Sequence, residues 1–124
     1  MKRKIGCRYN QLLADLPDVQ LPLASTDYAE NIYWVYGLVL GESYPFDATE
    51  LMRRLETRQI GTRPFFWPMH EQPVLRGLGL FAGVRCPVAE RIARRGLYIP
   101  SGLGIALEEI DRVAEDLREA LMEN

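Results

Sequence analysis

The sequence predicts a layered α/β domain in which helices pack against a small, mostly antiparallel sheet. Apolar residues alternate along the chain between helical spacing and short runs rich in β-branched and aromatic residues. Proline, glycine and polar residues separate these segments. The predicted order is helix, strand, strand, helix, strand, helix, strand, helix. With 124 residues, of which 48% are hydrophobic, the chain (1–124) is the size of one domain with a single core.

The first elements follow from periodicity. Residues 3–16 carry apolar side chains at helical spacing up to Pro17, although Gly6 weakens this helix. Residues 19–23 form a short extended segment. Residues 31–40 are the strongest predicted strand, because aromatic and β-branched residues fill them. Apolar residues occupy both sides of that strand, so both of its faces are expected to be covered.

The middle of the chain predicts a capped helix and an edge strand. Asp47 is the expected N-cap, Glu50 stands where a capping box requires it, and the helix extends to about residue 58. Residues 60–66 are a predicted strand, which Pro64 places at a sheet edge because proline cannot donate a ladder hydrogen bond. Residues 67–85 are rich in proline and glycine, which predicts a loop with about one helical turn.

The last third predicts helix, strand and helix. Pro87 stands at the first position of a helix, Arg94 and Arg95 in its last turn, and Gly96 just past its end. Residues 97–100 are a short strand. The final helix begins near residue 105 without a good N-cap, and one of its stripes is apolar, with Leu107, Ile110, Val113, Leu117 and Leu121.

Charge and special residues exclude several classes of protein. The net charge of −2 gives no basic field for nucleic acid or anionic lipid, and no apolar run reaches the roughly 20 residues of a membrane span, so neither partner is expected. The arginine pairs at 53–54 and 94–95 are interpreted as solvated helix faces. Cys7 and Cys86 are interpreted as buried free thiols of a cytoplasmic protein, and the lone His70 predicts no metal site with them.

One segment, residues 62–73, could carry chemistry. It holds three consecutive aromatic residues between prolines, with one arginine and the only histidine of the chain. Aromatic faces can stack on a base or a sugar, Arg63 can pair with a phosphate or carboxylate, and His70 can donate to a hydroxyl or phosphate oxygen. The alternative is a strand end with core aromatics and a solvated arginine, which the pattern alone favours. No motif pairs a nucleophile with a base, so no catalytic residue is predicted.

Three motifs in order make the sequence recognisable. They are NxYWVY at 31–36, GTRPFFxPMHxQP at 61–73 and PVAERxxxxGLxIPSG at 87–102. Together they resemble the DegT/DnrJ/StrS sugar aminotransferases, especially the perosamine-synthase-like members. The resemblance covers essentially the whole chain and matches the small C-terminal domain of these enzymes.

The resemblance implies a fold, a cofactor and a site. The family has the type I aminotransferase fold, in which a large domain carries the lysine that forms the Schiff base with pyridoxal phosphate. The small domain closes over the site and helps to form the nucleotide-sugar pocket, usually in a dimer. The resemblance implies that Arg63, Phe65, Phe66, Met69 and His70 face this pocket, with His70 on the sugar or a phosphate. Tyr33 and Trp34 are less certain members that can simply pack.

The lysine content separates this chain from a complete transaminase. The only lysines are Lys2 and Lys4, at the N-terminus and outside the cofactor-lysine context of the family. The chain is therefore expected to hold no cofactor and to be inactive alone, with the large domain absent. Two hypotheses stay open: an enzyme fragment that needs this large domain, or a non-catalytic module that binds a nucleotide-sugar-like ligand or a protein. Either role is expected to involve self-association into a homo-oligomer.

Overall fold

A four-stranded antiparallel sheet organises the fold in the computed structural model, which describes residues 1–123. The sheet has the spatial order β1-β2-β4-β3, and its strands are β1 (Val19–Gln20), β2 (Tyr36–Leu40), β3 (Arg63–Pro64) and β4 (Gly96–Ile99). The helices are α1 (Lys2–Leu13), α2 (Ala48–Thr57), α3 (Pro73–Gly77), α4 (Pro87–Arg95) and α5 (Leu107–Met122). A single 3-10 turn spans Met69–Glu71. The order of elements and the antiparallel sheet confirm the predicted layered α/β class.

The main core lies between one face of the sheet and three helices. In the β2–β4 register Leu38 stands opposite Leu97 and Tyr36 opposite Ile99, so these four side chains share a face. Apolar side chains of α1, α2 and α5 pack on that face in one cluster. The burial of this continuous apolar surface is the main force that holds the helices on the sheet.

The other face of the sheet is covered by the segment that follows β3. Gly37 and Gly96 leave a shallow seat there, and the Phe65 ring occupies it. A Cβ atom on Gly96 would lie 2.1 Å from Cδ2 of Phe65, and one on Gly37 would lie 2.8 Å from its Cζ. Val39 on the same strand is only 6% exposed. The prediction that both faces of this strand are covered is therefore confirmed for β2, and the covering groups belong to this chain.

The predicted strand at 31–40 is wrong in its first half. β2 begins at Tyr36, because Tyr33 has a φ of +53° and turns the chain before the strand. The Asn31 side chain stabilises this turn: its Oδ1 accepts from the Tyr33 amide at 2.7 Å. The Tyr33 ring then packs over Gly6, where a Cβ would meet it at 2.2 Å. Gly6, which lowers the helix propensity of α1, thus leaves space for an aromatic ring.

The predicted strand at 60–66 is also shorter than expected. Only Arg63 and Pro64 pair with β4, and they form the edge strand that the proline predicted. Ile60 instead enters the core directly after α2, since Gln59 with a φ of +62° redirects the chain. The loop at 67–85 contains the 3-10 turn and the five-residue α3, which is slightly more helix than the one turn predicted.

The helix boundaries largely confirm the predicted caps. Asp47 Oδ1 accepts from the Glu50 amide at 3.0 Å and caps α2. The Glu50 carboxylate does not complete a capping box but binds Arg53 and Arg54. α4 runs from Pro87 to Arg95 as expected. α5 has Ala106 as its N-cap, and the Glu109 carboxylate compensates by accepting from the Ala106 amide at 2.7 Å.

Three predictions about side-chain exposure are wrong. Cys7 and Cys86 were predicted to be buried free thiols, and they are free but exposed on the surface of the fold. The Arg54 side chain is only 12% exposed: it lies over the Phe46 ring, 4.1 Å from its centroid, and donates to carbonyls at the end of α5. Arg95 is half-buried because its guanidinium donates to backbone carbonyls of Tyr44 and Phe46, in the loop after β2. None of the helices in residues 1–123 has the length and apolar character of a membrane crossing.

Candidate functional site

The predicted site begins on the edge strand β3. Arg63 stands opposite Tyr98 in the β3–β4 register, and Pro64 stands opposite Leu97. Side chains alternate between the two faces of a strand, so Arg63 and Tyr98 lie on the face away from the main core. The chain after Pro64 crosses this same face and carries the aromatic residues over it. The edge position thus brings the predicted segment onto an open face of the sheet.

Aromatic rings form a platform on that face. The Phe65 and Tyr98 ring centroids are 4.5 Å apart, tilted by 45°, and the Phe66 ring meets Tyr98 edge-on at 6.3 Å. Such offset and edge contacts are the favoured geometries for aromatic pairs. Phe65 is half-buried in its glycine seat, whereas Phe66 is 74% exposed. The platform therefore combines a fixed base with an exposed ring that a ligand can contact.

The five predicted site residues differ in exposure. Arg63, Phe66 and Met69 are exposed, Phe65 is half-buried, and His70 is buried with 7% of its surface accessible. The alternative, a strand end with core aromatics and a solvated arginine, fits the exposed Arg63, whereas Phe65 is only half-buried and lies outside the main core cluster. These five residues follow one another over a single edge strand, loop and 3-10 turn. Their proximity reflects local chain geometry, and their role in a sugar pocket stays a prediction.

His70 is held by Glu90 of the third motif and by Arg76 of α3. Its Nε2 lies 3.0 Å from Oε1 of Glu90 on α4. Its backbone carbonyl accepts from Nε of Arg76 at 3.2 Å. The 3-10 turn places this histidine toward α4, while its neighbour Met69 points to solvent with 64% exposure.

Glu90 gathers three donors in the first turn of α4. Its carboxylate accepts from the Cys86 amide at 2.9 Å, from His70, and from the Arg85 guanidinium at 3.2 and 3.3 Å. The Cys86 amide, then His70, then Arg85 lower the pKa of Glu90 to about 2. Glu90 is therefore ionised at neutral pH.

Arg94, one helical turn after Glu90, holds the same segment at two further points. Its NH2 group lies 3.0 Å from both carboxylate oxygens of Glu71. Its guanidinium lies over the Trp67 ring, 5.0 Å from the centroid. One face of α4 thus binds the turn on both sides of His70.

An open cleft of about 580 Å³ lies beside this turn. Four arginines and two glutamates surround it together with the histidine, and its lining residues include His70, Glu71, Arg76, Arg85, Glu90, Arg91 and Arg94. Arg76 and Arg91 donate to uncharged groups, so the cleft keeps an excess of positive charge that suits an anionic ligand. Ligating atoms of His70, Glu71 and Glu90 lie within 4.8 Å of one another, but these atoms already bind one another or arginine.

Neither lysine is placed to hold an aldehyde cofactor. Lys2 Nζ donates to the Ser101 carbonyl at 2.5 Å, at the start of α1. Lys4 is exposed on the same helix, and neither residue lines the cleft beside His70. The side chains of residues 1–123 therefore do not fit pyridoxal phosphate, which needs a lysine for its Schiff base.

Sequence reasoning missed two residues of this site. Tyr98 completes the aromatic platform, and the inside–outside alternation of β4 after Leu97 could have revealed it. Glu90 lies within the third motif but was given no role there. Its proximity to His70 depends on how α4 packs, for which the sequence carries no local signal. Tyr33 packs in the core at 3% exposure, and Trp34 is 65% exposed.

Comparison with known proteins identifies the family of this fold and these motifs. Residues 1–118 match the model of the DegT/DnrJ/EryC1/StrS aminotransferase family, so the chain belongs to it. The chain is similar to the GDP-perosamine synthase of Vibrio cholerae, with 27% identity over 94% of this chain. It is also similar to the dTDP-4-dehydro-2,3,6-trideoxy-D-glucose 4-aminotransferase of Saccharopolyspora spinosa, with 28% identity over 97% of this chain.

The match covers only part of these relatives. The chain spans 31% of the Vibrio enzyme and 29% of the Saccharopolyspora enzyme. Among solved structures, DesI in the presence of its TDP-sugar product matches with a TM-score of 0.81 and 26% identity. That match covers 98% of this chain and 31% of DesI. PseC of Helicobacter pylori, at 16% identity and a TM-score of 0.82, shares the fold.

Proposed function

We propose that this chain is the small C-terminal domain of a pyridoxal-phosphate-dependent nucleotide-sugar aminotransferase. In this role it contributes Arg63, Phe65, Phe66, Met69 and His70 to the sugar pocket and is not catalytic alone. The carrying observation is that the aromatic platform lies on the outer face of the sheet, and that the turn which follows it along the chain places His70 in an arginine-rich cleft. The names of the relatives, which include two nucleotide-sugar enzymes, support the substrate class.

Each part of the site has a chemical task in this proposal. The exposed Phe66 ring and the Met69 side chain contact the apolar face of a sugar ring. Arg63 is exposed and pairs with a phosphate or carboxylate. His70 forms a hydrogen bond to the sugar. The excess positive charge of the cleft attracts the diphosphate.

The cofactor and the location belong to the same proposal. Pyridoxal phosphate supplies the electron sink of a transamination, and the part of the enzyme beyond these 124 residues would hold it. Because Cys7 and Cys86 are unpaired thiols, the proposal places the protein in a reducing compartment, the cytoplasm. In this proposal the chain acts together with the large domain of the family, and the enzyme is a homo-oligomer.

The inactivity of the isolated chain is tested with cofactor and amino donor. We expect no Schiff-base absorbance when pyridoxal phosphate is added to the purified chain, and no amino transfer to a keto-sugar nucleotide. The control is the same assay on a complete relative such as the Vibrio cholerae enzyme. A borohydride-trapped adduct at full stoichiometry, together with turnover, would refute this part of the proposal.

The pocket residues are tested by ligand binding. GDP-mannose and dTDP-glucose are titrated into the ¹⁵N-labelled chain, and we expect the resonances of residues 63–70 to shift. Arg63→Ala and His70→Ala are expected to weaken binding by roughly five- to tenfold each, the loss of about one charged or neutral hydrogen bond. Arg53→Ala, an exposed arginine on α2, is the matched control. Equal affinity in all variants would contradict the assignment.

A second candidate is a non-catalytic interaction module. Large apolar side chains are exposed along α3, the loop after it and the first turn of α4, with Val74, Leu78, Leu80, Phe81, Val84 and Val88 between 44% and 69% accessible. An exposed apolar surface of this kind is typical of an interface. Under this alternative the chain self-associates without the large domain. Sedimentation that gives a monomer at high concentration would count against it.

A further inference from the structure

His70 has only one free ring nitrogen. Within residues 1–123 its ring makes one hydrogen bond, from Nε2 to Glu90 at 3.0 Å. The side chain is 7% exposed and lines the arginine-rich cleft. Of the two ring nitrogens, only Nδ1 has no partner among the described residues, so it is the one that a ligand could bind.

The Glu90 carboxylate decides which nitrogen carries the proton. An ionised carboxylate only accepts hydrogen bonds, so the shared hydrogen belongs to Nε2 of the histidine. Glu90 cannot turn away freely, because the Cys86 amide and the Arg85 guanidinium bind the same carboxylate. With Nε2 protonated, a neutral imidazole has an unprotonated Nδ1, which accepts hydrogen bonds and does not donate them.

We propose that Glu90 is a positioning residue that fixes His70 in the Nε2-protonated form. Nδ1 then accepts a hydrogen bond from a hydroxyl of the sugar and does not bind a phosphate. The second half of this inference rests on the proposed function. It also narrows the chemistry of the site, because a neutral His70 held in this way recognises a hydrogen-bond donor. A phosphate oxygen, which is an acceptor, is left to the arginines of the cleft.

The surrounding contacts restrict the turn as a whole. Arg76 holds the His70 carbonyl, and Arg94 holds Glu71 and Trp67 on either side of it. Rotation of the ring away from Glu90 would leave Nε2 of His70 without its acceptor and remove one of the three donors from a carboxylate whose side chain is only 13% exposed. The position of the imidazole is thus fixed before a ligand arrives, which reduces the ordering cost of binding.

The positioning step is tested by NMR, since His70 is the only histidine of the chain. The ¹⁵N spectrum of the full 124-residue chain is recorded at about pH 8, above the ordinary pKa range of histidine. All of its imidazole signals come from His70. We expect a single tautomer with a protonated Nε2 whose hydrogen exchanges slowly. In Glu90→Ala we expect a mixture of tautomers and loss of the slow N–H signal. Glu90→Gln keeps an acceptor oxygen and is expected to restore the single tautomer.

Arg94→Ala is the matched control, because it releases Glu71 and Trp67 but leaves the Glu90 acceptor in place. We expect it to keep the wild-type tautomer, with backbone amide dispersion confirming the fold of every variant. A protonated Nδ1 in the wild-type chain would overturn the proposal, whether or not Glu90→Ala folds. A single tautomer with a slow N–H in a folded Glu90→Ala would also overturn it.

The ligand step uses two kinds of probe, nucleotide sugars and nucleoside diphosphates. We expect GDP-mannose or dTDP-glucose to shift the Nδ1 resonance, and GDP or dTDP to leave it unchanged. An equal Nδ1 shift with the diphosphates would overturn the hydroxyl assignment. No response to any nucleotide sugar would refute the proposed function together with this assignment, while the tautomer measurements still decide the role of Glu90.

Discussion

At the scale of single residues, two glycines determine where the aromatic platform lies. Across the β2–β4 ladder Gly37 pairs with Tyr98 and Gly96 pairs with Val39, so the two glycines are diagonal neighbours on the face that Phe65 covers. The Phe65 ring approaches both backbones more closely than any side chain there would allow. Because Phe65 contacts Tyr98, and Tyr98 contacts the exposed Phe66, the absence of two Cβ atoms determines how closely the platform lies to the sheet.

Gly96→Ala is expected to displace Phe65 and to destabilise the domain by about 1–3 kcal/mol, the usual range for overpacking. The added methyl would lie 2.1 Å from the Phe65 ring and 2.6 Å from the Ile92 carbonyl, and the carbonyl cannot move aside. Denaturant unfolding measures the loss. Gly104→Ala, where a Cβ meets nothing within 4 Å, is the control. Equal stabilities for the two variants would contradict the role given to Gly96.

Arg95 is half-buried and connects two elements, so it is not part of a solvated face. Its guanidinium donates to carbonyl oxygens of the chain between β2 and α2, at Leu40, Gly41, Tyr44 and Phe46. The planar guanidinium, with donors in several directions, suits this set of acceptors. Arg95 thereby ties the end of α4 to the start of α2.

Arg95→Lys is expected to lower the free energy of unfolding by about 1.5–3 kcal/mol, because one ammonium group cannot reach all of these carbonyls. Thermal and denaturant unfolding both measure the effect. Arg53→Lys, on the exposed side of α2, provides the comparison and should change stability little. If Arg95→Lys were as stable as the wild-type chain, the carbonyl contacts would carry no net energy.

At the scale of elements, local capping signals were the most reliable part of the sequence. Asp47 caps α2 with its side chain, and Pro87 and Gly96 bracket α4. Strand lengths were predicted less well, since positive φ angles at Tyr33 and Gln59 end the extended segments early. Apolar runs alone do not distinguish a paired strand from a turn whose side chains enter the core.

Asp47→Ala is expected to cost about 0.5–2 kcal/mol, because the Glu50 amide loses its acceptor at the N-terminus of α2. Amide hydrogen exchange should rise first in this opening turn. Thr49→Ala changes an exposed residue of the same turn and serves as the control. Equal exchange rates in Asp47→Ala and the wild-type chain would show that the cap contributes nothing.

At the scale of the whole molecule, carboxylates held by cations and amides make stability depend on pH. Arg53 and Arg54 lower the pKa of Glu50 to about 2, and the Cys86 amide with His70 and Arg85 does the same for Glu90. Both values are below the ordinary 4.5. A depressed folded-state pKa stabilises the fold above the unfolded value, and this contribution disappears as pH falls toward the folded value.

The free energy of unfolding is therefore expected to be level above pH 4.5 and to decrease as pH falls from 4.5 toward about 2. Denaturant unfolding over this range measures the decrease. Glu50→Gln should reduce the slope, while Glu56→Gln, whose exposed side chain binds no described partner, should not. A stability that rises on acidification would contradict the sign of this argument.

The sequence by itself determined the class of fold, the order of elements, the helix caps and the segment that carries the candidate site. These features depend on residues close together in the chain, through periodicity, capping and proline or glycine geometry. Only the tertiary structure decided that Phe65 rests on Gly37 and Gly96, and that Glu90 binds His70. These pairs are brought together by sheet register and by the packing of α4, and such distant contacts leave no local pattern to read.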